Sequence, residues 1–521
     1  MQTANFYSNC KLLFANFFFQ LQTAICQLFI SLSLQGLKKH FQIFLFVVLI
    51  APIFSCRKDT LITDSSAKID FSADSILFDT VFTTIGSTTK YFIIYNRHSS
   101  PIKISSLKLG GGNSSQFRMN VDGVASKSLT DITIPAKDSL FIFVAVTVNP
   151  TNKNSPLIIR DSILFTTNGN QQKVILEAWG QDAYYHYPNK LLKFTDGTGL
   201  FYDSIPCNAI WTNDKPHVIY GYALVDQGCT LTIQQGASVY LHKGATLWVY
   251  NGGRLDIQGS QTSPVTFQGD RLEAEYKDIA GQWGKIWFSG GSSNSKIDWA
   301  IIKNGIVGIE MDTITNSNDS LTISNTIIKT MTGAAIFGND CSHIYGYNCV
   351  FANCQQICGY FNLGGIFHFY QCTFANYWDN FKAQRSTPAL LLNNWYSPAT
   401  ASPQYRDLKS AYFGNCIIYG NLTNEVGLDS SLGGKFNYFF DHCVLLTDGK
   451  YNATNTLHNN SVIINVDPSF KNTSSNDYEL NNNSSAIDKG SIPIGAMFPY
   501  DLNGNPRNVD AAPDIGAYEY K

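Results

Sequence analysis

A chain of 521 residues with 37 basic and 39 acidic side chains is almost uncharged overall. It lacks the field that holds a polyanion by counterion release, so nucleic acid is excluded as an expected partner. Only 15% of residues are charged, whereas Gly, Asn, Ser, Thr, Tyr and Phe are plentiful, a balance that favours stacked strands over amphipathic helices. The length exceeds one ordinary core, leaving several domains or one long solenoid. Twelve cysteines dispersed over it do not make the dense framework of a small disulfide-stapled domain.

Residues 37–56 read LKKHFQIFLFVVLIAPIFSC: a basic patch (Lys38, Lys39, His40), an apolar run over 41–54, then Ser55 and Cys56. This is the layout of an export signal, with an apolar core too short for a comfortable membrane span. The ending IFSC resembles the lipobox of bacterial lipoproteins. That resemblance implies cleavage before Cys56, lipidation of Cys56, attachment to the membrane through the acyl chains, and residence at the outer membrane or cell surface. A plain transmembrane anchor is the alternative. Ahead of the signal lies a second apolar stretch, 12–34. Either residues 1–36 are not translated and the chain starts near Leu37, or the two stretches form a membrane hairpin. The leader is thus 1–55, followed by a lipidated linker over 56–70.

From 71 to 183 short alternating runs such as KYFIIY (90–95), 102–109, 140–148 and 174–178 are separated by turn clusters. Such spacing predicts a β-sandwich with inward residues such as Phe92 and Ile94, or Phe141, Phe143 and Ala145. The segment resembles the immunoglobulin-like modules of Bacteroidetes surface lipoproteins, which implies a spacer.

Residues 231–257, LTIQQGASVYLHKGATLWVYNGGRLDI, hold a strict period of eight. Ile233, Leu241, Val249 and Ile257 recur in one phase, Leu231, Val239, Leu247 and Leu255 in another, and Gly236, Gly244 and Gly252 in a third. Each unit is a short strand with two inward side chains and a glycine turn, and three such sides make a coil of about two dozen residues. Further on, NTIIKT, NCVFAN and QCTFAN place Thr326, Cys349 and Cys372 at steps of 23, with Ala300 before them and Cys416 and Cys443 after at looser spacing. Equivalent residues of successive coils then stack at about 4.8 Å. Cys349, Cys372, Cys416 and Cys443 are expected as an interior column of thiols and not as a zinc site, so no metal is expected. Asn304, Asn353 and Asn376 share another phase and are expected as an asparagine ladder. The excess between Cys372 and Cys416 is expected as one loop over about 380–410. Cys207 and Cys229 flank the start of the solenoid and could bridge.

The run from Trp211 through DKPHVIYGYALVDQGCTLTIQQG, PVTFQGDRLEAEY, QWGKIWF and IDWAIIKNGIVGI resembles the pectin-lyase-like right-handed parallel β-helix proteins of Bacteroidetes. DPSF (467–470), AIDKG (486–490), DLNGNPR (501–507) and DIGAYE (514–519) resemble the closing segment of that group. The resemblance spans about 205–521. The expected architecture is all-β: an N-terminal immunoglobulin-like β-sandwich (71–183), a right-handed parallel β-helix with an N-terminal cap (184–465), and a closing segment (466–521).

Functional candidates are sparse. The resemblance brings to mind lyases that use calcium and a basic residue, and hydrolases that use paired aspartates. Yet none of Asp298, Asp312, Asp319, Asp340, Asp379, Asp429 and Asp441 recurs in phase with another carboxylate and a basic residue. Asp379 with Arg385, and Asp441 with His442, are the remaining acid–base candidates. The charged run GDRLEAEYKD offers Asp270, Arg271 and Glu273 for a polar ligand, or is a solvated excursion. Trp248, Trp287 and Tyr240 alternate with inward residues and are expected outside, where aromatic faces can stack on sugars. Asp-Ser/Thr-apolar triplets such as 79–81 and 161–163 resemble O-glycosylation acceptors of exported proteins. The leading expectation is a monomeric surface lipoprotein that binds polysaccharide or another surface partner without a cofactor. The alternatives are a polysaccharide lyase or glycoside hydrolase, with calcium only if a lyase, and a structural surface-assembly protein.

Overall fold

The computed structural model describes residues 60–150, 157–292, 294–312, 320–340, 342–378, 385–398, 402–449 and 451–521. The leader, Cys56 and Asp379 lie outside the described residues. No helix among the described residues is long and apolar enough to cross a membrane.

The first strands form two five-stranded sheets, one containing Lys90–Tyr95 and Ser139–Val146, the other Ile102–Leu109, Leu157–Thr167 and Asn170–Gln181. They share one core in which Phe92, Ile94, Ile104, Phe117, Ile142, Val144 and Phe165 are buried. The expected face of Ser139–Val146 is reversed. Phe141 and Phe143 are exposed, while Ile142, Val144 and Val146 are buried. The strand reads SLFIFVAV, apolar at both parities, so alternation cannot choose a face. The pairing does, setting Ile142 opposite Phe92.

From Tyr184 onward the chain winds as a parallel β-helix of three sheets, with eleven, ten and ten strands. Sheet A carries Ser238–Leu241, sheet B Thr246–Val249 and sheet C Arg254–Gln258. Parallel strands joined by crossovers wind right-handed, because a right-twisted strand returns to its sheet only that way. Gly236, Gly244 and Gly252 have φ of 75°, 75° and 74°, a left-handed turn that glycine enters without a Cβ clash. The inward side chains form one continuous column from Ile205 to Leu445.

The 23-residue coil is seen in the pairing Ile327↔Val350↔Thr373, which places Thr326, Cys349 and Cys372 one above another. Cys349, Cys372, Cys416 and Cys443 are fully buried. Burial pushes the thiols of Cys349, Cys372 and Cys416 well above their ordinary range, so they pack as small apolar groups.

Two expectations need correction. The amides of Asn304, Asn353 and Asn376 do not satisfy one another: Asn304 donates to the carbonyls of Tyr276 and Lys277, Asn353 to Asn476, and Asn376 to the Gln356 carbonyl. The ladder stands instead one residue before the cysteine column. There Asn325, Asn348, Gln371 and Asn415 take φ of 49–52°, a left-handed conformation asparagine tolerates. Asn348 donates to Asn325 at 3.1 Å and Asn415 to Gln371 at 3.1 Å. Second, the chain between Cys372 and Cys416 is not one loop. Leu390–Asn393 joins sheet B and Leu408–Gly414 joins sheet C, dividing the excess into one excursion before 390 and another over 394–407.

The closing segment folds back along the solenoid. Phe470, Tyr478, Leu480, Ile515 and Ala517 cover the outer side of sheet A over Val350, Ala352, Ala375, Ile417 and Val444, which is why those strands are apolar on both faces. Phe498 stacks on Tyr347 of sheet C with ring centroids 4.7 Å apart. The buried Arg507 anchors the segment, donating to Glu519 and to Asn348 of the ladder.

Candidate functional site

With parts of sheets A and C covered in this way, the outer face of sheet B is the open flank. Excursions leave from its edges: 270–284 and 385–389 on the side of sheet A, 394–398 and 402–407 on the side of sheet C. They flank this face in sequence, and the band of outward side chains between them is here called the trough.

Two rows run along the floor. In the first, strand pairing sets Leu224, Trp248, Trp287, Glu310, Phe337, Tyr360 and Leu391 side by side. Trp248 and Trp287 stack with centroids 5.0 Å apart and planes at 13°, Phe337 and Tyr360 at 5.0 Å and 11°. Successive strands are about 4.8 Å apart, so neighbouring rings lie face to face along the solenoid axis. That geometry uses up the faces. Trp248, expected as a sugar platform, is only 4% exposed, between Leu224 and Trp287 with Tyr222 and Tyr250 edge-on. Trp287 has the Lys285 ammonium 4.7 Å from its ring centroid and donates Nε1 to Asp312 at 2.7 Å. Tyr240 is covered too, against Phe82 of the sandwich.

The second row, absent from the sequence expectations, is polar: Asp312, Asn339, Asn362, Asn393 and Asp429, on successive strands of sheet B. Asn362 donates to Asn339 at 3.0 Å and accepts from the Tyr360 hydroxyl; Asn393 donates to Asp429 at 2.9 Å, which also accepts from Trp395 Nε1. Planar amides and carboxylates thus repeat along the floor at the strand spacing. Glu310 and Asp312, two residues apart on one strand, both face the trough with a backbone separation of about 7 Å. Glu310 is held by Lys285 at 2.7 Å. This carboxylate pair was missed because only aspartates at coil spacing were sought; the alternation I-E-M-D at 309–312 is the signal for it.

The remaining candidates lie elsewhere. Asp270, Arg271 and Glu273 line a cleft of about 120 Å³ between solenoid and sandwich, with His242, Lys90 and the strand Ser75–Phe82. His242 bonds Asp270 at 2.7 Å, and burial raises the Asp270 carboxyl despite that partner. Glu273 accepts from Arg271 and from Thr88 Oγ1 at 2.7 Å. Burial pushes its carboxyl up, but these bonds hold it below its ordinary range. Both carboxylates are tied into a junction between the two parts, and the charged run is neither a free excursion nor an open grip.

Arg385 does not reach solvent. It is buried in a two-pronged pair with Glu425, at 2.7 and 2.5 Å, and also donates to the carbonyls of Thr387 and Asn376. A guanidinium held this way has no access to a substrate proton. Asp441 bonds His442 at 2.7 Å and accepts from Tyr412 and Asn460, a satisfied network on the last coils, away from the trough. Cys207 and Cys229 are disulfide-bonded, with Cα atoms 4.8 Å apart.

No protein-family model matches the chain, and no curated protein matches it. Among solved structures, the catalytic unit of a GH87 α-1,3-glucanase from Streptomyces thermodiastaticus is 11% identical, over 69% of this chain and 74% of that one, with a TM-score of 0.29. The catalytic domain of a GH87 α-1,3-glucanase variant in complex with nigerose is also 11% identical, over 69% and 82%, with a TM-score of 0.18. A family 123 glycoside hydrolase from Clostridium perfringens is 7% identical, with a TM-score of 0.17; the match covers 23% of this chain and spans 30% of that one. Likenesses this low carry no argument about activity. The class of the protein rests on its own sheets: it is a parallel β-helix.

Proposed function

We propose that this chain is a surface lipoprotein, anchored through Cys56, that binds polysaccharide along the trough on sheet B, with the sandwich as its spacer. The observation that carries the reading is the row Asp312–Asn339–Asn362–Asn393–Asp429: Asn393 is buried, but the partly exposed Asp312, Asn339 and Asn362 and the exposed Asp429 form a periodic set of planar hydrogen-bonding groups that suits a periodic, hydroxyl-rich polymer. The stacked rings stiffen the floor beneath it. A glycan array, with a depolymerisation screen, on protein starting at Arg57 tests this. Binding that Asn362→Leu weakens at least tenfold, without loss of fold, is the expected result. No affinity for any glycan would leave a structural role in surface assembly and overturn the proposal.

A second reading, hydrolysis, draws on Glu310 and Asp312 as two carboxylates facing outward from one strand, the residue types that paired-carboxylate glycosidases use. It predicts reducing ends released from a bound glycan and abolished by Asp312→Asn. Binding without release sets it aside.

A further inference from the structure

On the other side of the 270–284 excursion, against sheet A, lies a pocket of about 400 Å³ lined by Lys277, Lys329, Asn353, Trp378 and the turn Thr473–Ser475. Lys329 stands beside Lys303 on the neighbouring strand, in register. Neither ammonium has a carboxylate within ion-pair distance among the described residues. Among the described residues the one acidic group facing them is Asp278, set against three lysines (277, 303 and 329). Burial depresses both Lys303 and Lys329, and for Lys329 repulsion from Lys303 adds to it. Two more groups are buried without a partner, Trp378 Nε1 and Asn353 Oδ1. Half-buried cations that outnumber the carboxylate near them, beside an idle N–H donor, form an electrostatic vacancy that an oxyanion would fill with charge-assisted hydrogen bonds.

We propose that this pocket binds a sugar-borne oxyanion, a uronate carboxylate or a sulfate ester, so that the polysaccharide taken by this protein is acidic. The inference rests on the polysaccharide reading for its ligand, but the pocket itself can be tested without it. The ammonium groups of Lys329 and Lys277, which line the pocket, face the anion, Lys303 beside them adds to the positive field, and Trp378 Nε1 donates to it. Asp278 at the rim limits the excess positive charge and disfavours small anions held by charge alone.

The first experiment uses full-length protein with sodium sulfate and sodium glucuronate, against sodium chloride at equal ionic strength. At least one of the two anions should raise the melting temperature above the chloride value, and which one does so identifies the oxyanion. The extra shift should vanish in Lys329→Met and persist in Lys296→Met, an exposed lysine on sheet C. Removing a half-buried lysine should not lower the melting temperature in chloride, so a folded Lys329→Met is available. The second experiment is affinity electrophoresis in dextran sulfate, polygalacturonate and neutral dextran. Retention by an acidic polymer should fall at least tenfold in Lys329→Met and stay within twofold in Lys296→Met. Equal anion shifts in wild type and Lys329→Met overturn the pocket. Equal retention by neutral and acidic polymers, unaffected by Lys329→Met, overturns it while leaving polysaccharide binding standing. An anion shift lost in Lys329→Met together with no retention by any polymer upholds the pocket and removes the polysaccharide reading instead.

Discussion

Glu425→Gln isolates the energetics of the best-buried charge pair in the solenoid. The side chains of Arg385 and Glu425 are 1% and 0% exposed. Beyond the two bonds from Arg385, the Glu425 carboxylate accepts from the backbone N–H of Ala389 and of Leu422 at 2.7 and 2.8 Å. A glutamine of the same shape removes the negative charge and turns an NH₂ group toward donors. An uncompensated buried guanidinium costs about 3–5 kcal/mol, and a donor facing a donor adds about 1 kcal/mol or more; the expected loss is about 5 kcal/mol. Taking away the cation as well, in Arg385→Met/Glu425→Gln, should recover about 2 kcal/mol, because no charge is then stranded. Gly420 offers no relief by rearrangement: a Cβ there would lie 2.3 Å from Glu425 Oε1, so backbone and carboxylate are already in close contact. Since coils can open locally, urea unfolding should be paired with hydrogen exchange over 385–394 and 417–426, where protection should collapse first. A loss below 1 kcal/mol, or a double variant at least as unstable as the single one, would refute the account.

Three further outcomes follow from the structure. His217 is 5% exposed, stacks on Trp211 at 4.1 Å, and has its pKa lowered to about 3 by burial and by the neighbouring His186. Its folded pKa lies below the unfolded value, so its contribution is present above pH 6.5 and is lost as pH falls toward 3, by about 2 kcal/mol at pH 5 and about 4 kcal/mol at pH 3. His217→Phe should flatten urea stability across that window, and an unchanged slope counts against the assignment. Reducing Cys207–Cys229, which closes a separation of 22 residues, should cost about 3 kcal/mol, felt as early exchange of the first coils and not of the last; uniform loss would contradict a local effect. Trp287→Ala removes a ring packed between Trp248 and the Lys285 ammonium, so it should cost about 3 kcal/mol of stability, while glycan affinity per folded molecule should fall only severalfold, through the lost bond to Asp312. A tenfold affinity loss at full stability would restore the ring to the role of sugar platform.

The solenoid was legible wherever its three sides have equal length. Over 231–257 each side takes eight residues, so inward apolar positions and turn glycines recur at one period. The cysteine column was legible for the same reason at the coil period. Two elements were not. In SLFIFVAV both faces are apolar and only the partner strand decides which is inside. Between Cys372 and Cys416 two excursions bracket a four-residue strand, Leu390–Asn393, too short to announce itself against its surroundings.

The trough escaped the sequence for a related reason. Its polar residues, Asp312, Asn339, Asn362, Asn393 and Asp429, succeed one another at separations of 27, 23, 31 and 36 residues. Excursions of unequal length intervene, so no phase exposes the row until the strands are paired. The aromatic row misled in the opposite direction. Alternation placed Trp248 and Trp287 on the outer side, and an outward tryptophan on an isolated strand would offer its face to solvent. In a parallel solenoid the next coil sets its own outward residue about 4.8 Å above, close to the separation at which two rings stack, so an aromatic ladder consumes its own faces. Hydrogen-bonding side chains on the same sheet bond in pairs, Asn362 to Asn339 and Asn393 to Asp429, and the partly exposed Asn339 and Asn362 keep capacity that such pairing does not use. On the proposed reading, ligand recognition falls to the amide and carboxylate row rather than to the rings, which is why Asn362 and not Trp287 carries the test of binding.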